Sequence, residues 1–184
     1  MTLVKDKPAN KSSTGHERKF EALVTHTQRQ MVALAYRMLG NLEDARDHAQ
    51  EAFVRLWKLA SWPKGEKAVL ALLTRILINL CIDTLRRRRR FRFIAISDEE
   101  IEDNTKSNYD PEHVLKATEI HTLIESALLK LKPKQKAIFV LRDIESYAVR
   151  ETAKIVGCSE NNVLVNLHLA RKNIRNWLTP YLNK

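Results

Sequence analysis

Residues that interrupt helices are scarce in this chain. Its 184 residues include only 4 Gly and 5 Pro, which argues against a protein built from tight turns and strands. Leu, Ala, Lys, Arg and Glu are abundant, and these residue types favour helices. The hydrophobic fraction of 44% is high enough for folded cores. The composition therefore predicts an all-α protein.

Cysteine is also scarce. Cys81 and Cys158 are the only two, and they lie far apart in apolar, helix-patterned segments. This excludes a disulfide scaffold and predicts buried free thiols in a reducing compartment. The six histidines show no ligand spacing with the cysteines, so no metal is expected.

Catalytic motifs are also absent from the sequence. The chain contains neither a Gly-rich phosphate loop nor a nucleophile elbow. We therefore expect no enzymatic activity, no cofactor and no small-molecule substrate.

Long apolar runs are missing from the sequence. None approaches the roughly 20 residues that span a bilayer, and the start, MTLVKDKPANKSSTGHERK, lacks the apolar segment of a signal peptide. The sequence predicts a cytoplasmic protein without membrane insertion.

Acidic residues are outnumbered by basic ones. The formal net charge is +10, which predicts a polyanionic partner. Seven of the acids fall between residues 95 and 112, where there is one lysine, and DTLRRRRRFRF (Asp83–Phe93) holds five consecutive arginines. This distribution predicts two basic bodies joined by an acidic connector.

Apolar residues at helical spacing divide the chain into four segments. We expect a disordered basic tail over 1–16, a three-helix domain over 17–94, a flexible acidic linker over 95–110 and a second helical domain over 111–184. In the second domain, Gly157-Cys158-Ser159 separates two predicted helices. This spacing is typical of a helix-turn-helix, although ordinary helical hairpins also have it.

Three segments together resemble a bacterial RNA polymerase sigma factor of the extracytoplasmic-function type. They are RMLGNLEDARDHAQEAFVRLWK (Arg37–Lys58), TRILINLCIDTLRRRRR (Thr74–Arg90) and LLKLKPKQKAIFVLRDIESYAVRETAKIVGCSENNVLVNLHLARKNI (Leu128–Ile174). The resemblance implies a region 2 bundle and a region 4 helix-turn-helix. It also implies promoter-specific initiation, with core RNA polymerase (its clamp region and flap), promoter DNA and an anti-sigma factor as partners.

The resemblance implies that the second predicted helix docks on the polymerase clamp. Its polar residues recur at the three- and four-residue spacing that places groups on one helical face. An acidic, amide-bearing face repels DNA and suits a basic protein surface, although it is also compatible with a solvated helix. The residues assigned to polymerase binding are Asp44, Asp47, Gln50, Glu51, Phe53 and Trp57.

The third predicted helix is assigned to the −10 element of the promoter. Arg75, Asn79 and Asp83 stand four residues apart and form one polar ribbon. By resemblance, Trp62 and Lys64 lie in the loop that captures an extruded base. The run Arg86, Arg87, Arg88, Arg89 and Arg90 predicts sequence-independent binding of phosphates.

The helix-turn-helix is assigned to the −35 element. The residues assigned to it are Ser159, Asn161, Asn162, Asn166, His168, Arg171, Lys172 and Arg175.

Two departures from the family pattern bear on these assignments. Apolar Leu164, Val165 and Leu169 stand where relatives have basic or hydroxyl residues. Leu72 and Thr74 replace aromatics that support strand opening.

Two other functions remain open on the residues alone. The apolar outward face suggests a sigma-like decoy that titrates a regulator. A helix-turn-helix also suits an autonomous repressor, although no additional dimerisation helix is evident.

Overall fold

The computed structural model describes residues 11–95 and 115–182, and every regular element in these two ranges is helical. The elements are α1 (Lys11–Leu39), α2 (Leu42–Trp57), α3 (Glu66–Ala95), α4 (Leu115–Lys130), α5 (Pro133–Phe139), a π-helical segment (Val140–Ile144), α6 (Val149–Val156) and α7 (Glu160–Leu182). The prediction of an all-α protein is confirmed.

Helices α1, α2 and α3 form the first unit. Gly40, at φ 72°, ends α1, and the Asn41 side chain begins α2 by accepting a hydrogen bond from the Asp44 N–H at 3.0 Å. The three helices bury one apolar stripe each against the others. Fully buried members of this core are Met31, Leu34, Met38, Ala45, Ala52, Leu56, Leu73 and Leu77.

Helices α4 to α7 form the second unit. The short helices α5 and α6 lie against α7 through the buried side chains of Ile138, Ala153, Val163 and Leu167. Pro133 occupies the start of α5, where its missing N–H costs nothing.

The two units contact each other along α3. Ala137, Val140, Leu141 and Ile155 of the second unit belong to the same apolar core as the first unit. Within this contact, the Thr74 hydroxyl lies 3.3 Å from the Tyr147 hydroxyl. Arg37 and Glu145 form an ion pair between the units. One side of α3 is therefore covered by the second unit.

A lysine is buried where α5 faces α3. The Lys136 side chain is only 2% exposed, and burial lowers its pKa to about 8. The neighbouring Cys81 thiol is also buried, which raises its pKa to about 12. Cys81 is thus a buried free thiol as expected, whereas Cys158 is only partly buried.

The structure differs from the predicted boundaries at the N-terminus. Helix α1 begins at Lys11, within the segment expected to be a disordered tail. The His16 ring lies 4.3 Å from the Trp62 ring and 5.1 Å from the Trp57 ring, measured between centroids. This aromatic contact stabilises the additional turns. The predicted linker, apart from its first residue, lies outside the described residues, as do residues 1–10.

Helix α3 is long and apolar enough to cross a membrane by length and composition, over residues 66–91. This differs from the expectation that the sequence contains no segment of that length and composition. In the fold, α3 is the central helix, and Leu73, Leu77 and Ile78 are fully buried against other helices. Its apolar character is explained by contact with α1 and α2 of its own unit and with the second unit.

Gly157 connects α6 to α7 in a left-handed conformation, with φ 68° and ψ 54°. An added Cβ would meet no atom within 4 Å, so Gly157→Ala tests backbone strain alone. We expect it to lower the free energy of unfolding by about 1 kcal/mol, as measured by urea denaturation. Gly15→Ala is the matched control, because Gly15 also has open space around it but lies within α1. That change should be neutral or slightly stabilising. Equal effects of both substitutions on the free energy of unfolding would contradict a left-handed conformation at Gly157.

Candidate nucleic-acid and protein interfaces

The exposed face of α2 carries three of the predicted polymerase-binding side chains: Asp47, Gln50 and Glu51. The Glu51 carboxylate accepts a hydrogen bond from Arg55 at 2.7 Å, which lowers its pKa. Asp44 is half-buried instead, because its carboxylate accepts a hydrogen bond from Arg88 of α3 at 2.7 Å. Asp44 thus links two helices.

The two aromatic residues assigned to the same face lie differently. Phe53 is 6% exposed and belongs to the core, where it makes an edge-to-face contact with Phe20. Trp57 is 40% exposed. Trp57 therefore lies at the surface, a position that suits a binding role.

A groove between α1 and α2 lies beside the acidic face. Its lining includes Val24, Val32, Tyr36, Gln50 and Trp57. The α1 side of this groove is a feature that the sequence spacing did not predict. The signal available in the sequence was the pair Val32 and Tyr36, two hydrophobic residues at four-residue spacing.

The polar ribbon of α3 is present as predicted. Arg75, Asn79 and Asp83 are all exposed and follow one another at four-residue spacing on one helical face. Asp83 lies 3.5 Å from Arg86 in an ion pair. Thr74, which precedes the ribbon, is fully buried beneath the second unit.

The loop between α2 and α3, which was predicted to capture a base, holds its two assigned residues in different ways. Lys64 is exposed. The Trp62 indole N–H donates to the Leu56 carbonyl at 2.9 Å, and its ring lies between His16 and Phe20. In this structure Trp62 joins the loop to the bundle.

The arginine cluster forms the C-terminal part of α3. Arg86, Arg87, Arg89 and Arg90 are exposed, whereas Arg88 is partly buried because it donates to Asp44. Four guanidinium groups therefore extend around the helix into solvent, and their number exceeds what the negative end of a helix dipole would attract.

Helices α6 and α7 have the geometry of a helix-turn-helix. The Ser159 hydroxyl caps α7 by accepting from the Asn162 N–H at 3.2 Å. Val163, Leu167 and Ala170 are buried, so the opposite side of α7 faces solvent. That side presents assigned residues Asn161 and His168 together with Leu164 and Val165.

Two polar groups of α7 form hydrogen bonds within the protein. The Asn166 amide donates to the Asn162 backbone carbonyl at 2.8 Å and to the Asn162 side-chain oxygen at 2.7 Å. Arg171 forms two hydrogen bonds to Asp143, at 2.8 and 2.6 Å, which raise its pKa. Lys172 and Arg175 are exposed further along the helix.

Comparisons with known proteins identify both units. Residues 23–91 match the family model for Sigma-70 region 2, and residues 121–174 match the model for Sigma-70, region 4. The RNA polymerase sigma factor YlaC of Bacillus subtilis is 31% identical over 166 residues, which cover 89% of this chain and 94% of that protein.

Other similar proteins bear related names. The ECF RNA polymerase sigma factor SigE of Mycolicibacterium smegmatis is 29% identical over 88% of this chain, and this chain spans only 62% of that protein's length. A crystal structure of the sigma factor RpoE with the anti-sigma factor NepR from Bartonella quintana has a TM-score of 0.66. At 20% identity, and covering 88% of this chain and 98% of that one, it shows a shared fold.

The fold and the two matched regions define a protein of the sigma-70 class. Within that class, the chain belongs to the extracytoplasmic-function RNA polymerase sigma factors. The family predicted from the three sequence segments is confirmed.

Proposed function

We propose that this protein binds core RNA polymerase and directs it to a subset of promoters. The observation that supports this best is the presence of two candidate DNA faces on two helical units of one chain. One is the α3 ribbon of Arg75, Asn79 and Asp83, followed by exposed arginines, and the other is the α6–α7 helix-turn-helix. When two weak DNA contacts are made by one chain, the first raises the effective concentration of the second and so increases the overall affinity. Neither contact then needs high affinity alone.

In this proposal the acidic face of α2 and the adjoining groove dock on the polymerase clamp, and the second unit docks near the flap. The α3 ribbon contacts the −10 element, and α7 contacts the −35 element. Lys64 is placed to reach a phosphate, whereas Trp62 has to leave His16 before it stacks on a base. The polymerase supplies the chemistry, so the chain itself acts without a cofactor. We place the protein in the cytoplasm and include an anti-sigma factor among its regulators.

A transcription assay with purified components tests this function. The full-length protein is combined with core polymerase and genomic DNA of the source bacterium, and the 5′ ends of transcripts are mapped. We expect new starts that share two upstream elements. Core binding without transcripts would support a decoy. Tight binding to one operator without polymerase would support a repressor. Either result contradicts the proposal.

The clamp contact can be tested by charge reversal on α2. The double variant Asp47→Lys and Gln50→Lys places two cations on a face proposed to meet a basic surface, so affinity for core polymerase should fall about tenfold or more. Binding is measured by fluorescence anisotropy with labelled protein. Glu66→Lys is the control, because Glu66 is exposed on α3, outside this face. Unchanged affinity in the double variant would rule out this face as the clamp contact.

A further inference from the structure

The outward face of α7 is unusually apolar for a helix that contacts DNA. Asn161, Leu164, Val165 and His168 follow the three-, four- and seven-residue spacing of one helical side. The side chains of Leu164 and Val165 are 51% and 50% exposed. Two of these four positions, in the first two turns after the cap, are therefore aliphatic.

Two polar side chains near Leu164 and Val165 already form hydrogen bonds within the protein, which limits their use in binding DNA. An amide side chain has two N–H donors, and both donors of Asn166 are used within the helix, on Asn162. The Arg171 guanidinium is held by both carboxylate oxygens of Asp143. The exposed amide and imidazole groups on this side are those of Asn161, Asn162 and His168, and Leu164 and Val165 form an apolar surface among them.

The charges around this surface indicate a polyanion rather than a protein. The exposed charged residues of α6 and α7, apart from Arg171, are four cations (Arg150, Lys154, Lys172 and Arg175) and two acids (Glu151 and Glu160), and the Glu151 carboxylate accepts a hydrogen bond from the Ala148 N–H. The N-terminal part of the second helix of a helix-turn-helix is the part that contacts base edges in the major groove. Within that groove, the 5-methyl group of thymine is the apolar group that a base pair presents.

We propose that Leu164 and Val165 determine promoter specificity by contacting thymine methyl groups in the −35 element. This rests on the proposed function and adds the chemistry of recognition. Burial of one methyl group contributes a factor of about three to five in affinity. The upstream element should therefore contain one or two thymines whose methyl groups, rather than their hydrogen-bonding edges, are required.

Replacement of thymine by uracil tests this directly, because only the methyl group is removed. The holoenzyme of full-length protein and core polymerase first selects its upstream element from a pool of randomised duplexes. Each thymine of the selected element is then replaced singly by deoxyuridine, and affinity is measured by competition. We expect a loss of about three- to fivefold at one or two positions.

Variants identify the side chains responsible. Leu164→Ala and Val165→Ala should each lose a similar factor on thymine DNA and lose nothing further when the matching thymine is uracil. Both residues are exposed, so the fold should persist, which circular dichroism verifies. Lys172→Ala is the control, since a phosphate contact should weaken binding equally on thymine and uracil DNA.

The outcomes separate this inference from the function on which it rests. If an element is selected but uracil is tolerated at every position, methyl recognition is wrong and promoter binding stands. If Leu164→Ala and Val165→Ala also leave DNA affinity unchanged, the apolar face does not contribute to DNA binding and the inference is again overturned. If no element is selected with polymerase, the proposed function and the inference both fail.

Discussion

Replacement of Lys136 by methionine is expected to stabilise the protein by about 2 kcal/mol at pH 7. Lys136 is 2% exposed, and burial lowers its pKa from 10.5 to about 8. At pH 7 the folded protein therefore retains an ammonium group in a site that disfavours it, with a cost of roughly 1.4 kcal/mol for each pH unit of the shift. Methionine has a similar length and removes the charge. Urea denaturation of the full-length protein measures the change.

The pH dependence gives this prediction a second test. Because the pKa of Lys136 is lower in the folded state, the unfolded chain binds more protons between about pH 8 and pH 10.5. Wild-type stability should therefore increase with pH in this window, and the advantage of Lys136→Met should diminish. Cys81 acts in the opposite sense above pH 9, because its pKa is raised to about 12. Measuring both proteins in a Cys81→Ala background removes that contribution.

The control for Lys136→Met is Lys132→Met, which removes an equal charge from an exposed position. It should change the free energy of unfolding by less than about 0.5 kcal/mol. A loss of stability in Lys136→Met, or a difference from wild type that does not vary between pH 7 and 10, would show that the ammonium group is well accommodated between α3 and α5.

Neutralising the exposed arginines of α3 should abolish most DNA binding. The variant replaces four residues by glutamine: Arg86, Arg87, Arg89 and Arg90. Each cation that neutralises a phosphate contributes about 0.7 to 0.9 to the slope of log affinity against log salt. Four such contacts predict a slope smaller by about three and an affinity about a hundredfold lower near 0.15 M salt. Promoter transcription should fall by a similar factor, whereas binding to core polymerase should not.

A matched control carries the same change in net charge elsewhere. It replaces four exposed cations by glutamine: Arg18, Lys19, Lys58 and Lys132. This control should retain most of the wild-type salt slope. Arg88→Gln provides a further comparison, because Arg88 donates to Asp44 and its loss should lower stability more than DNA affinity. Equal salt slopes for wild type and the arginine variant would remove the cluster from the DNA interface.

The sequence predicted the helices well because their signals are local. The start of α2 is an example, because the Asn41 side chain caps the helix through the N–H of Asp44, only three residues further on. A turn was predicted at Gly157-Cys158-Ser159, and there Gly157 adopts the left-handed conformation and Ser159 caps α7. Within residues 11–95 and 115–182, the large boundary difference is at the start of α1. There, the contact of His16 with Trp57 and Trp62 depends on residues about forty positions away.

The candidate sites were predictable only in part. Spacing placed Arg75, Asn79 and Asp83 on one exposed face, because helical geometry depends only on separation along the chain. The same spacing could not show that Phe53 is buried or that Trp62 is held by Leu56. Nor could it show that one arginine of the run of five pairs with Asp44. Those outcomes depend on which neighbour another helix supplies.

The sequence by itself was sufficient to predict the helical class, the division into two basic units, the helix-turn-helix and the apolar face of α7. Each depends on residues close together in the chain. Packing alone decided that the second unit covers Thr74, that Lys136 is buried beside Cys81, and that Arg171 is bound by Asp143. Such contacts join residues separated by 28 to 73 positions, and their energies come from burial and partners that no short segment contains.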